Sequence, residues 1–295
     1  MKNKIIGWWS GGITSAVACK LAIDLYGKEN VRIIFIDTKN EDDDTYRFMK
    51  DCESWYDIEI ETITGIGKKY ESIQDVWIKN KSLNVARGAI CSSSLKKDVR
   101  VKWEKDNEWE HQVFGFELDE YKRAKSMTLN YPKTKSIYPL MMYGLSKKDC
   151  IKIVEEANIQ VPKMYSLGFL NNNCFKTGCV QGGTGYWQKM KRDFPDKFDA
   201  MAEMEHLLTK EKGLPVTMLK DQSNEAKRKV EESGNKHLQF VFLKPHPDYP
   251  EIKDISMMKG REPKPLFECN GMCGINDLEK RSETEKEINN QQSLF

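Results

Sequence analysis

Over the first ~160 positions, short apolar runs alternate with segments whose apolar residues recur near the helical period. Residues 4–9 form an apolar run that stops at Ser10-Gly11-Gly12. Over 14–26 the side chains of Ala16, Val17, Leu21 and Leu25 are spaced to share one helical face, and Gly27 stands where a helix would end. The reading is a strand, a glycine turn and a helix. Further runs predict strands over 31–36, 58–63, 111–116 and 137–140, and helices over 44–55, 70–78 and 121–127. Ser146 with Asp149 approximates a capping box ahead of Ile151, Val154 and Ala157, which predicts a helix over 147–158. Strands and helices in this repeating order predict an α/β fold, a doubly wound and mostly parallel sheet covered on both faces.

After Pro162 the texture changes to Gly, Asn, Cys and aromatic residues, so a boundary is expected near 165. The organisation that follows is a nucleotide-binding domain over 1–165, a smaller Cys-rich domain over 166–277, and a polar tail over 278–295 that is too hydrophilic to bury. In the smaller unit, one helix is expected over 186–212 and a strand over 238–243.

Composition changes this picture little. Hydrophobic residues make up 39% and charged residues 31%, as in an ordinary soluble globular chain, and no run approaches the roughly 18 to 20 apolar residues of a membrane span. The start, Met1-Lys2-Asn3-Lys4, lacks the apolar core of a signal peptide, so a cytoplasmic location and no membrane partner are expected. A formal net charge of +2 gives no global field for polyanions. Lys68, Lys69, Lys96, Lys97 and the stretch 100–105 are read first as solvated helix faces, with a local basic patch as the alternative.

The first candidate chemistry lies in Ser10-Gly11-Gly12-Ile13-Thr14-Ser15, between the first strand and the first helix. Ligands bind at such strand ends in open parallel sheets. Glycines let the backbone approach a phosphate, successive N–H groups make an anion nest, and the helix start adds favourable charge. Ser10, Thr14 and Ser15 add hydroxyls, and the second strand ends in Asp37-Thr38. A Ser-Gly-Gly-x-x-Ser loop followed by an apolar-Asp-Thr strand end resembles the PP-loop ATP pyrophosphatases, a HUP-like α/β superfamily. Arg87-Gly88-Ala89-Ile90-Cys91 with Ser94-Leu95-Lys96, and Gly115-Phe116-Glu117 with Arg123, are similar to its phosphoadenosine-phosphosulfate-reductase-like branch.

The resemblance spans residues 1 to 165 or so and implies a set of expectations. Ser10, Gly11, Gly12, Thr14 and Ser15 would hold the phosphates, and Asp37, Thr38 and Gly115 would lie by the nucleoside. Where the family commonly has Asp in the loop, this chain has Ile13-Thr14, so Arg87, Lys96, Lys97 and Arg123 are the candidates to neutralise phosphate charge. Asp42, Asp43 and Asp44 could serve Mg²⁺, although Asp at a helix start needs no function. The implied chemistry is attack of a substrate oxygen on the α-phosphorus of ATP, which gives an adenylated intermediate and pyrophosphate. A second nucleophile, sulfur or ammonia, then displaces AMP.

Eight cysteines fall into two groups. Cys19, Cys52, Cys91 and Cys150 stand apart and read as small core hydrophobes. Cys174 with Cys179 and Cys269 with Cys273 form close pairs in glycine-rich sequence, separated by 89 residues. Four thiolates suit Zn²⁺ or an iron–sulfur cluster; the wide spacings and the neighbouring glycines favour 4Fe-4S over zinc, and independent buried cysteines are the plain alternative. A sulfonucleotide reductase would carry a Glu-Cys-Gly-Leu-His-like segment; Glu268-Cys269-Asn270-Gly271 matches only its beginning. Two alternatives to an adenylating enzyme therefore remain, a sulfonucleotide reductase and a non-catalytic nucleotide-binding module. The expected partners are an adenine nucleotide and an acceptor that is a small metabolite, a nucleobase or a nucleic acid, with a homodimer as an oligomeric option.

Overall fold

The structure is a computed structural model that describes residues 4–85 and 88–266. Strand β1 (Ile5–Trp9) leads through the glycine turn into α1 (Ile13–Tyr26), and β2 (Val31–Asp37), α2 (Asp43–Tyr56) and β3 (Ile60–Thr64) follow. Then come α3 (Ile73–Asn80), a π-helical turn (Ser93–Lys97) running into α4 (Asp98–Asp106), β4 (His111–Val113) and α5 (Tyr121–Asn130). Helix α6 (Lys147–Glu156) closes this part. The strand order is β3-β2-β1-β4, and every neighbouring pair is parallel. The parallel α/β sheet predicted from the hydrophobic pattern is present.

Alternation along the strands divides the core. Ile33 and Phe35 pack with Ile13, Val17, Phe48 and Val154 on one face, whereas Ile34 and Ile36 pack with Trp103, Ala124 and Met127 on the other. A period of two with both sides apolar is the mark of a strand buried on both faces. Gly7 sits where β1 packs closely, because a Cβ there would fall 2.7 Å from Ile33 Cδ1 and 2.9 Å from Cys19 Sγ.

The chain continues through α7 (Thr184–Asp193), α8 (Pro195–Lys212), β5 (Leu219–Lys220), α9 (Asn224–Ser233), β6 (Phe240–Phe242) and β7 (Lys253–Asp254). The three short strands form a small mixed sheet in the order β5-β6-β7. A third core gathers Trp187, Phe198, Met201 and Val241 together with Tyr70, Val76, Trp77 and Leu95 from earlier in the chain. The later segment is thus packed onto α3 and the π-turn. Glu205 on α8, fully buried, accepts the backbone N–H groups of Met218 (2.8 Å) and Leu243 (2.7 Å) and fixes the small sheet to the helix.

Prolines explain two departures from the predicted elements. The strand expected over 137–140 shrinks to one parallel bridge between Ile137 and Val113, because Pro139 starts a four-residue helix, Pro139–Met142. The single helix expected over 186–212 is two, broken at Phe194, since Pro195 cannot donate to the preceding turn and instead opens α8. Residues 236–239 form a 3-10 turn before β6 rather than the first half of a strand. Among the described residues no helix is long and apolar enough to cross a membrane.

Candidate functional site

The strand order places the crevice. The chain steps outward from β1 to β2 to β3 and then returns to the other side of β1 as β4, so the direction of winding reverses between β1 and β4. Ligands bind outside the carboxyl ends of the strands at such a reversal. Both ends carry a glycine there. Gly11 has φ +88°, and a Cβ on it would lie 2.8 Å from Thr45 Cγ2. Gly115, just past β4, lies against the first turn of α1, where a Cβ would come within 2.6 Å of Ser15 Cα and 2.8 Å of Thr14 C.

Side chains fix the loop's shape. Ser10 N–H and Ser10 Oγ both reach Ser15 Oγ, at 3.0 and 2.9 Å, and Ser15 Oγ donates to Gly12 O at 2.8 Å. The Ser15 hydroxyl, expected to donate to a ligand, therefore gives its hydrogen to the loop itself. Gly12 caps α1 with no side-chain acceptor, and no acidic residue stands in the first turn. That leaves the positive end of the helix without a carboxylate at the crevice, which is what an anion needs. Ile13 N–H reaches Tyr165 Oη at 3.3 Å.

At the end of β2, Asp37 is fully buried. Its Oδ1 accepts from Lys39 N–H at 2.7 Å and from Tyr46 Oη at 3.0 Å, and its Oδ2 lies 2.8 Å from Lys39 Nζ. Tyr46 is held well above the usual phenol range by burial first and then by the Asp37 charge. Thr38 Oγ1 donates to Glu41 Oε1 at 3.1 Å, and Lys96 Nζ, from the π-turn, lies 3.5 Å from the same oxygen. Both members of this ion pair are buried, with side chains 7% and 1% exposed, so Lys96 reaches the site already facing a carboxylate. Lys97, one residue on, is half-buried. Arg123 is paired with Glu120 and lies 4.5 Å above the Phe116 ring, which ties it to the element after β4. Arg87 lies outside the described residues.

The three aspartates are taken up by structure. Asp42 is the N-cap of α2, accepting from Asp44 N–H at 3.0 Å, and Asp43 pairs with Lys176 at 3.3 Å. Burial pushes the Asp44 carboxyl up, but the Arg47 guanidinium and the Lys163 N–H outweigh it and hold the group below the usual carboxylate range.

Of the four paired cysteines, Cys174 and Cys179 are described, neither in a disulfide, and Cys269 and Cys273 lie outside the described residues. The fold brings Cys174 to the end of β2, with Sγ 3.6 Å from Thr38 Oγ1 and 3.8 Å from Glu41 Oε1. Cys179 is buried, and its N–H donates to Tyr186 Oη at 3.0 Å. Among the described residues no three His, Cys, Asp or Glu side chains come together as a metal site. The sequence did not point to Glu41, Asn172 or Tyr165. Asn172 is buried, and its Nδ2 donates to Gly11 O at 2.8 Å and to Thr45 Oγ1 at 3.1 Å.

Residues 4–87 match the family described as phosphoadenosine phosphosulfate reductase domain. This segment holds the loop and the β2 end that carry the resemblance, and over it the resemblance to that branch is borne out. An uncharacterized protein of Methanocaldococcus jannaschii is 26% identical over 203 residues, which cover 66% of this chain and 40% of that protein. The chain thus spans about 40% of the length of this curated relative. Among solved structures, the phosphoadenylyl-sulfate reductase of Candida auris in its phosphate complex is 16% identical with a TM-score of 0.42, over 58% of this chain and 81% of that one. The U34-tRNA thiolase NcsA from Methanococcus maripaludis with its [4Fe-4S] cluster is 16% identical with a TM-score of 0.34, over 70% and 72% of the two chains.

Proposed function

We propose that the chain is an ATP-dependent adenylating enzyme of the PP-loop type. The observation that carries this reading is the glycine turn at the winding reversal of the sheet, backed by Gly115 and opening a helix whose start bears no acidic cap. The triphosphate would lie on the Gly11–Ser15 backbone. A substrate oxygen would then bond to the α-phosphorus while the bond from that phosphorus to the bridging oxygen breaks, and pyrophosphate would leave. The chain's part is alignment and charge neutralisation, by loop N–H groups and by Lys96, Lys97, Arg87 and Arg123. Mg²⁺ on the triphosphate would supply further neutralisation. A second nucleophile, with sulfur favoured, would displace AMP from the activated acceptor, which is a small metabolite, a nucleobase or a nucleic acid.

The same reading assigns Cys174, Cys179, Cys269 and Cys273 to one metal centre, 4Fe-4S in preference to zinc. Support comes from the end of the described chain. Residues 258–266 run along α7: Gln188 Nε2 donates to Met258 O and Lys259 O, Gln188 Oε1 accepts from Arg261 N–H, and Gly185 fits under Glu262 O. This strap ends with Leu266 N–H donating to Asn171 Oδ1 at 2.7 Å. Cys269 follows Leu266, and Cys174 follows Asn171, by three residues each, a reach of at most about 10 Å. The described chain is thus held, three residues short of Cys269, at a residue that stands three before Cys174.

The test is incubation with ATP and Mg²⁺ while pyrophosphate is followed, with and without candidate acceptors. Release that depends on an acceptor is expected, and Ser10→Ala with Gly12→Ala should weaken binding of an ATP analogue in a folded protein. Unchanged affinity in that variant would remove the phosphate-loop assignment.

A further inference from the structure

Large apolar side chains on a protein surface are ordinary when scattered and informative when gathered. Of the ten that are exposed among the described residues, five lie on the three segments that meet at Lys147: Leu118, Tyr121, Met142, Tyr143 and Leu170. Tyr121 and Tyr143 are the only aromatic side chains so exposed among the described residues. Lys147 N–H donates to Glu117 Oε2 at 2.8 Å, and its Nζ lies 3.6 Å from Glu117 Oε1 and donates to Leu170 O at 3.1 Å. Met142 and Tyr143 approach it from Tyr138, whose ring stacks on Phe116 at 5.7 Å and whose hydroxyl donates to Ala124 O of α5 at 3.1 Å. Both flanks of this face are tied to the phosphate loop. Gly115, two residues before Glu117, abuts Ser15, and Asn172, two residues after Leu170, donates to Gly11 O.

Positive charge gathers on the same excursion of the chain. Residues 117–147 hold six basic and three acidic residues, a formal +3, where the whole chain carries +2. Glu117 faces Lys147 and Glu120 faces Arg123, which leaves Lys122, Lys125, Lys133 and Lys135 against Asp119. Lys122 and Lys125 are exposed beside Tyr121 on α5, and Lys133 and Lys135 are exposed beyond its end. We propose that this face docks a single-stranded nucleic acid, with its phosphates on the lysines along α5 and its unstacked bases on Tyr121 and Tyr143. Aromatic faces interleaved with cations suit a single strand, because every base has a face to stack and every phosphate a charge to neutralise. A duplex keeps its base faces covered, and protein contacts are depleted in lysine. That the strand is the acceptor rests on the adenylating reading given above: a nucleotide lying on this face stands next to the loop assigned to the triphosphate. A small-metabolite acceptor would leave the two exposed tyrosines without a use.

The experiment is fluorescence anisotropy on the full chain with a labelled single-stranded RNA of mixed sequence, the DNA strand of the same sequence, and the RNA duplex, each over a range of salt. Calorimetry with a non-hydrolysable ATP analogue runs alongside. One or both single strands should bind more tightly than the duplex, and salt should weaken the binding steeply. Tyr121→Ala and Tyr143→Ala should each cost about tenfold in affinity for the strand. Lys122→Gln with Lys125→Gln should lower the slope of log affinity against log salt by about 1.4. All these variants should keep native Tm and native affinity for the ATP analogue, since none of the four residues belongs to the phosphate loop. Native-like strand binding in both tyrosine variants, or a duplex bound as tightly as the single strands, overturns the proposal. So does a dimer in sedimentation velocity that Tyr121→Ala dissociates, if native protein binds no strand, because a second copy then covers the face. Analogue bound without any strand removes this proposal and leaves the adenylating reading standing; strand bound without any analogue removes that reading and leaves the docking face.

Discussion

Gly115 stands so close to Ser15 that a Cβ placed on it would lie 2.6 Å from both the Cα and the backbone nitrogen of Ser15. The two residues come from opposite sides of the winding reversal, one after β4 and one in α1, and their contact is backbone to backbone. No side chain can be swung aside to make room, so any substitution must move either the strand end or the helix start.

Gly115→Ala is accordingly expected to destabilise the fold by about 1–3 kcal/mol, the usual range for overpacking, and to weaken nucleotide binding because the turn shifts. Denaturant unfolding and calorimetric titration read the two effects separately. A variant with native stability and native affinity would show that the contact can relax and that the crevice does not depend on it.

The Lys96–Glu41 pair offers a second test. Both groups are buried, and Glu41 Oε1 also takes Thr38 Oγ1 and faces Cys174 Sγ. Lys96→Met leaves the carboxylate without its counter-charge and should cost about 3–5 kcal/mol. Adding Glu41→Gln should recover most of that loss, since removing both charges removes the desolvation problem. Nucleotide affinity should stay low in the double variant, because the phosphate-facing cation is gone. Recovery of affinity together with stability would make Lys96 purely structural.

These residues mark what the sequence could show. The alternation from Ile33 to Ile36 declares a strand buried on both faces, and the Ser10–Ser15 turn declares its place at a strand end, because both signals are local. Asn172, Tyr165 and Glu41 carry no such signal. An asparagine 161 positions from the glycine it holds looks like any loop residue until the chain folds. The cysteine spacing announced a pair but not that Cys174 would stand at the end of β2. The prolines at 139 and 195 each open a helix inside an element drawn straight through them, because a proline cannot donate to the turn before it. For helix α4 the sequence offers only charges over 100–105 that fit a solvated helix face and no bounds, because only Arg100 and Trp103 of its nine residues are buried, too few for a periodic stripe.

Glu205 gives the chain a pH dependence with a definite sign. Burial pushes its carboxyl up to about 8, against the two backbone N–H donors that favour the charged form. Between the ordinary carboxylate value and about pH 8, the unfolded chain has released this proton while the folded chain still holds it. The folded state binds more protons, so this group's contribution to stability falls as pH rises through that window and levels off above it. Glu205→Gln should flatten the slope. Denaturant midpoints for native and variant across the window check this, and parallel curves would show that Glu205 stays charged in the fold.

The strap makes the last prediction. Leu266 N–H meets Asn171 Oδ1 at 2.7 Å, three residues before Cys174, and the second cysteine pair begins three residues after Leu266. If the four thiolates share one ion or cluster, the bond between Leu266 and Asn171 shortens the search by which the second pair finds the first. Metal binding then closes a loop of about ninety residues whose entropy cost it offsets. Anaerobically purified protein should be brown with the broad visible absorption of an iron–sulfur cluster; a colourless preparation with about one equivalent of zinc would place zinc in the same thiolate site. Cys174→Ser and Cys269→Ser should each lose the metal, although they stand at opposite ends of the closed loop. Asn171→Ala should keep the ligands but release the metal faster to a chelator, and proteolysis should then cut the strap between α7 and Leu266 more readily. Metal retained in both serine variants, or no metal at all in protein kept from oxygen and chelators, would return the four residues to the status of ordinary cysteines.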